Sequence, residues 1–275
     1  MQCLGPRGFY RMAYWEWPGP ASGRTIICVH GLTRNGRDFD PLAAALAAQG
    51  RVICPDMPGR GKSDWLDAAD SYVYPTYLGA AAALLGRLDV AEVDWVGTSM
   101  GGIMGMMLAA LPGNPIRRMV LNDIGPFIPA TGLRRLGTYV GADPSFADLA
   151  ALEADLRRIA ATFGPLSDED WRHLATISAR QKPDGSLGYA YDPRIGDAFR
   201  QGEPTDIDLW ATWEAIKAPT LVIRGNESDL LRHDDAVAMT KRGPRARLVE
   251  LPGIGHAPAL MAQDQIALVR DFLRG

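Results

Sequence analysis

Short apolar runs, each stopped by a turn or polar residue, recur along most of this chain and alternate with segments of helical period. The runs are Thr25–Val29, Arg51–Pro55, Val93–Val96, Arg118–Asn122, Pro219–Ile223 and Ala246–Leu251. Runs this short and this continuously apolar suit strands buried on both faces. Arg7–Trp17 adds one or two strands at a sheet edge. Between the runs, Asp38–Gln49, Thr76–Leu88, Met100–Leu111, Leu230–Lys241 and Ala259–Leu273 read as helices. The alternation predicts an α/β fold, with a mostly parallel sheet covered by helices on both faces. Such sheets carry their reactive residues in loops at the carboxyl ends of strands. The residues that end each run are therefore the ones to read for chemistry.

The alternation lapses between Ile124 and Lys217, where no strand pattern stands out. Phe146–Phe163 and Ser167–Arg180 have helical patterning, and Ser167-Asp-Glu-Asp170 looks like a helix start with acidic residues in its first turn. The pattern predicts a helical cap at residues 124–217, inserted into a core of residues 1–123 and 218–275. A chain of 275 residues suits one large domain carrying such an insertion.

Composition removes several classes of function. With 47% hydrophobic and 22% charged residues the chain is not a disordered one. A net charge of −3 offers no basic excess to neutralise a phosphate backbone, so nucleic acid is not an expected partner. Cys3, Cys28 and Cys54 form neither a CxxC pair nor a zinc-spaced cluster. Two of them sit inside apolar runs, which favours a reducing, cytoplasmic setting. Met1–Pro20 lacks the apolar core of a signal peptide. Trp95–Ile116 has no charged residue, but its five glycines and two prolines fit a strand, a sharp turn and a buried helix better than a membrane span.

Gly97-Thr98-Ser99-Met100-Gly101 follows an apolar run and opens a helical segment. This is G-x-S-x-G in the strand-to-helix setting of a nucleophile elbow. A serine hydroxyl is a weak nucleophile and needs a base. His256, in the Gly-rich loop after the last run, is the candidate; His173 and His233 read as packing or solvated residues. The base in turn needs a carboxylate to fix its tautomer. Asp229, in the loop after Pro219–Ile223, is preferred, because the motif's order is serine, acid, histidine and the late loop fits it best; Asp123, ending Arg118–Asn122, is the rival. Asp229 also suits an N-cap for Leu230 onward. The backbone N–H groups of Leu32 and Met100 would form a two-donor oxyanion hole.

With these residues in place the sequence resembles the α/β-hydrolase superfamily, in particular its compact capped members with esterase, C–C hydrolase and cofactor-free perhydrolase relatives. The resemblance rests on His30-Gly31, Asp56 with Pro58-Gly-Arg-Gly-Lys-Ser63, Gly97–Gly101, Gly225 with Ser228-Asp229, and Gly255-His256. It implies an eight-stranded sheet and a Ser–His–Asp triad. Ser99 stands where the family's dehalogenases and epoxide hydrolases carry an aspartate. Pro58–Ser63 lacks phosphate-loop spacing and reads as a surface turn, with Asp56 structural.

The expected activity is that of a serine hydrolase cleaving a small carboxylic ester, with no metal or organic cofactor. Cleavage of a C–C bond in a vinylogous diketone by the same three residues, or ligand binding without turnover, are the alternatives. A small-molecule ester is the expected partner. His30, Trp210, Trp213 and Tyr139 are candidate pocket residues in a mostly apolar site, and Arg134, Arg135, Arg180 and Lys182 are cap cations able to meet a carboxylate.

Overall fold

A computed structural model describes residues 1–20 and 23–275. The chain opens with β1 (Gln2–Gly5), β2 (Gly8–Arg11), β3 (Tyr14–Trp17) and β4 (Arg24–Val29), followed by α1 (Asp40–Leu46), β5 (Gly50–Pro55) and α2 (Tyr74–Leu88). It continues through β6 (Val93–Thr98), α3 (Met100–Ala109) and β7 (Ile116–Asn122). After the insertion come β12 (Thr220–Gly225), α8 (His233–Met239), β13 (Arg247–Leu251) and α9 (Gln263–Arg274). The central sheet has the order β13-β12-β7-β6-β4-β5-β3, parallel except for β3, which runs antiparallel to β5 at the edge.

The sheet has seven strands and not the eight that the resemblance implied. Strands β1 and β2 pair with each other and form a separate two-stranded sheet. Cys3 and Tyr10 on this hairpin are buried in the core, while Leu4 and Phe9, opposite each other across it, are exposed.

Side chains of a strand alternate between faces, and the sheet uses both. Ile26 and Cys28 of β4 join Leu42 and Leu46 of α1 and Val269 of α9 in one core cluster. Ile27 and Val29 join Tyr77 of α2 and Met104 of α3 in the other. This double burial explains why the strands read as unbroken apolar runs. Trp95–Ile116 contains most of β6 and all of α3, and among the described residues no helix is long and apolar enough to cross a membrane.

Between β7 and β12 the chain leaves the central sheet. This stretch holds α4 (Ala130–Gly137), α5 (Leu149–Ile159), α6 (Asp168–Ser178) and α7 (Trp210–Ala215). Ser167 caps α6 in a reciprocal box with Asp170, as its sequence predicts. The stretch is not purely helical. Strand β8 (Phe127–Ile128) pairs with β11 (Ile207–Asp208), and β9 (Ala179–Gln181) with β10 (Leu187–Tyr189), both antiparallel. These strands have two or three residues each, too few to show a period.

Candidate active site

Strand β6 ends at Thr98 and α3 begins at Met100, so Ser99 alone makes the turn. It does so with φ 51° and ψ −114°, a conformation uncommon for a non-glycine residue. Its neighbours must be glycines for a steric reason. A Cβ on Gly97 would lie 2.4 Å from the Gly101 backbone, and one on Gly101 would lie 2.1 Å from the Val29 carbonyl oxygen. The turn is pinned from two sides. The Ser99 N–H donates to the Asn122 carbonyl at 3.1 Å. The Trp95 indole donates to the Gly101 carbonyl at 2.9 Å.

His256 lies in the loop between β13 and α9, and its Nε2 is 2.9 Å from the Ser99 Oγ. Its Nδ1 is 2.8 Å from Oδ2 of Asp123, the residue immediately after β7. This arrangement suits a tautomer in which Nδ1–H donates to the acid and Nε2 accepts the serine proton. Asp123 is fully buried and also accepts from the Gly225 N–H at 2.7 Å and the Ser228 hydroxyl at 2.5 Å. Its two oxygens are thus held by three donors, one of them the imidazole.

The preference for Asp229 is therefore corrected: the carboxylate on His256 is that of Asp123. Asp229 takes a bidentate hydrogen bond from Arg135 of α4. It stays 41% exposed in its side chain. Burial pushes its carboxyl up, but the Arg135 hydrogen bond and charge outweigh that and hold it below the usual aspartate value. A carboxylate already engaged by a guanidinium has less to offer an imidazole. Nor does Asp229 cap a helix. The Leu230 and Leu231 amides donate to the Ser228 hydroxyl instead, and α8 starts only at His233.

One residue outside the predicted set ties the three segments together. The buried Asn122 donates from Nδ2 to Thr98 Oγ1 at 3.0 Å and to the Pro258 carbonyl at 2.8 Å. It thereby joins the residue before the serine to the histidine loop, and Asp123 follows it in the chain. Only its place at a strand end could have marked it in the sequence.

Leu32 and Met100 line the same cavity as Ser99. Among the described residues, neither amide donates to a protein acceptor. The cavity has a volume of about 460 Å³ and mostly apolar walls, including Ile103, Ile124, Ile128, Leu133 and Leu136. A second chamber, of about 590 Å³, lies on the other side of α4 and is lined by Arg34, Arg135, Arg158, Tyr139 and Tyr189. Helix α4 separates the two: Leu136 faces the first and Arg135 the second.

Of the four candidate pocket residues, only Tyr139 lines either of these chambers. His30 is fully buried, with Nδ1 2.7 Å from the Gly31 carbonyl and Nε2 accepting the Met57 N–H at 2.9 Å. Burial pushes its pKa down to about 3, so it is a neutral turn-shaping residue. Trp213 is fully buried and donates to the Arg242 carbonyl at 3.0 Å. Trp210 lies under the Arg242 guanidinium, 3.8 Å from ring centroid to cation. Both tryptophans fasten the end of the insertion to the loop after α8 and do not wall the cavity.

The Pro58–Ser63 segment is not a surface turn. Met57 to Arg60 are buried, because the insertion lies over them. The Gly61 N–H donates to the Ala190 carbonyl, and the Asp192 N–H donates to the Gly59 carbonyl, each at 2.8 Å. Asp56 is structural, as expected. Its carboxylate accepts the Gly36 and Lys62 N–H groups and the Trp15 indole N–H.

Comparison with known proteins fits this geometry. A model of the alpha/beta hydrolase family matches residues 26–268. A 3-hydroxybutyrate-oligomer hydrolase from Cupriavidus necator is 44% identical over 100% of this chain and 97% of its own length. A 2-hydroxymuconate semialdehyde hydrolase from a Pseudomonas species is 28% identical over 83% of this chain and 78% of its own. An α/β hydrolase from Novosphingobium aromaticivorans, solved as a crystal structure, superposes with a TM-score of 0.89 at 34% identity, covering 100% of this chain and 97% of the other.

Proposed function

The chain belongs to the α/β-hydrolase family, and on that premise we propose that it is a serine hydrolase cleaving short oligomeric esters of 3-hydroxy acids through an acyl-enzyme on Ser99. The observation that carries this reading is the unbroken chain of hydrogen bonds from Ser99 Oγ through His256 to Asp123. The substrate class rests on the likeness to the Cupriavidus oligomer hydrolase over the whole chain.

His256 Nε2 takes the Ser99 proton as Oγ attacks the ester carbonyl. Asp123 stabilises the imidazolium that forms. The carbonyl oxygen, now an anion, accepts from the Leu32 and Met100 amides. The positive end of α3 lies beneath it. Collapse of this intermediate expels the alcohol, which takes the proton from His256. Water, deprotonated by the same histidine, attacks the acyl-enzyme and releases the acid. The apolar chamber suits a short aliphatic chain, which offers it only methyl and methylene surface. Residues 124–217 serve as the cap that closes this chamber.

Incubation with a fluorophosphonate and with 3-hydroxybutyrate dimer and trimer tests the reading. Labelling of the wild type and release of monomer are expected, with both lost in Ser99→Ala. A labelled enzyme that leaves the oligomers intact would remove the substrate class. A Ser99→Ala variant with full activity would remove the mechanism. The Pseudomonas relative and the arginine-lined second chamber favour a second reading, hydrolysis of a C–C bond in an acidic ring-fission product. Turnover of a dienoate with no turnover of the oligomers would select it.

A further inference from the structure

Arg60 is fully buried, and its partners among the described residues are all neutral. Nε donates to the Leu32 carbonyl at 2.8 Å. Nη1 donates to the Pro58 carbonyl at 2.7 Å and to the Tyr77 hydroxyl at 2.9 Å. Nη2 points at the Met100 sulfur, 3.5 Å away. The guanidinium also lies over the rings of Tyr72 and Tyr77, 5.8 and 4.9 Å from their centroids. An interior cation without a carboxylate costs free energy that aromatic faces and carbonyls offset only in part. The usual stabilising reason for a buried arginine, a charge partner, is missing here.

The same partners say where the cation acts. Leu32, Tyr72, Tyr77 and Met100 all line the chamber that contains Ser99. Arg60 therefore sits one side-chain layer below the chamber floor. Two of its partners are the residues whose amides were assigned above to the developing anion. Its fork fixes the Leu32 peptide and packs on the Met100 side chain. Among the described residues no carboxylate hydrogen-bonds to it; the buried Asp192 lies beyond the Tyr72 ring, on the Tyr72 hydroxyl, and is held by Arg194. A low-dielectric surrounding carries its field further than water would.

We propose that Arg60 is a positioning residue for the oxyanion site, holding the Leu32 and Met100 segments in place and adding a positive field beneath them. This rests on the acyl-enzyme reading of Ser99. The step it serves moves no proton to or from Arg60 itself.

The test compares two ligands of the same length. A trifluoromethyl ketone adds Ser99 Oγ to form a hemiketal anion, whereas the matching ether fills the chamber and stays neutral. In Arg60→Met, kcat is expected to fall on the order of 10–100-fold, less than the 10²–10³ typical when a donor is deleted outright. KM is expected to stay within about threefold, since ground-state contacts persist. Ketone affinity should weaken in step with kcat while ether affinity holds. Arg60→Lys keeps the charge but not the fork, and should recover part of the loss. A packing role alone would weaken both ligands together.

Circular dichroism and thermal melts establish that each variant is folded. If Arg60→Met does not fold, Arg60→Lys carries the same criterion. A folded variant whose ketone-to-ether affinity ratio stays within about twofold of wild type overturns the proposal. A wild-type enzyme that binds the ketone no more tightly than the ether overturns the serine reading first, and this inference with it.

Discussion

Two aspartates stand at the carboxyl ends of neighbouring strands, Asp123 after β7 and Asp229 in the loop after β12. Either order in the chain is serine, acid, histidine. What separates them is company. Asp123 is fully buried and, among the described residues, its carboxylate meets N–H and O–H donors from Gly225, Ser228 and His256. Asp229 is part-exposed and meets a cation, Arg135. A carboxylate neutralised by arginine gives little to an imidazolium, whereas one held by uncharged dipoles keeps its full charge for it. Position also favours Asp123, because β7 is the direct neighbour of β6 and about 4.8 Å from it. Strand β12 is one place further away.

The sharpest way to break this comparison is Asp123→Asn. Loss of the orienting charge should lower kcat by about 10⁴-fold with the fold intact, as monitored by thermal melting. Retention of activity within about tenfold would return the role to Asp229. Next in size is Ser228→Ala. It removes one donor from Asp123 and the acceptor for the Leu230 and Leu231 amides. A loss of roughly 1–3 kcal/mol of stability is expected, read by urea unfolding, together with about a tenfold fall in kcat.

Asp229→Asn should do far less. We expect kcat within about threefold of wild type, measured on the same oligoester. The ion pair is more than a third exposed on both sides, so its loss should cost below about 1 kcal/mol. Its pH dependence gives the finest test. The carboxyl is held below its usual value in the fold, so its contribution is present above the unfolded aspartate value near 3.9. It disappears as pH falls through the lower, folded value. Wild type and Asp229→Asn should therefore differ slightly in denaturant midpoint at pH 7 and converge in acid, once the folded carboxyl is protonated. A gap that widens in acid would mean that Asp229 does something other than pair with Arg135.

The core was legible because its strands are buried on both faces and announce themselves as apolar runs. The serine turn was legible because close packing admits only glycine at positions 97 and 101. The acid was not, since both candidates end strands and the discriminating partner, Arg135, comes from α4, whose docking no local pattern reveals. The same holds for His30, Trp210 and Trp213. A histidine or tryptophan near a site reads alike whether it faces a cavity or a wall. The small hairpin β9–β10 did leave a sign, since Lys182-Pro-Asp-Gly185 is a turn sequence and Gly185 takes φ +85°. Its strands are simply too short for periodicity to register. The burial of Met57–Arg60 was illegible for a related reason, because what covers it comes from more than a hundred residues downstream.

That cover has a practical consequence for anyone building chimaeras between this enzyme and its relatives. The rungs from Gly61 to Ala190 and from Gly59 to Asp192, with the Tyr72 hydroxyl donating to Asp192 at 2.5 Å, lace the stretch between β7 and β12 to the very loop that carries Arg60. A graft that brings foreign residues at 190–192 alters the lacing even when every triad atom is retained. Donor and recipient should therefore be matched at this seam before their substrate preferences are compared.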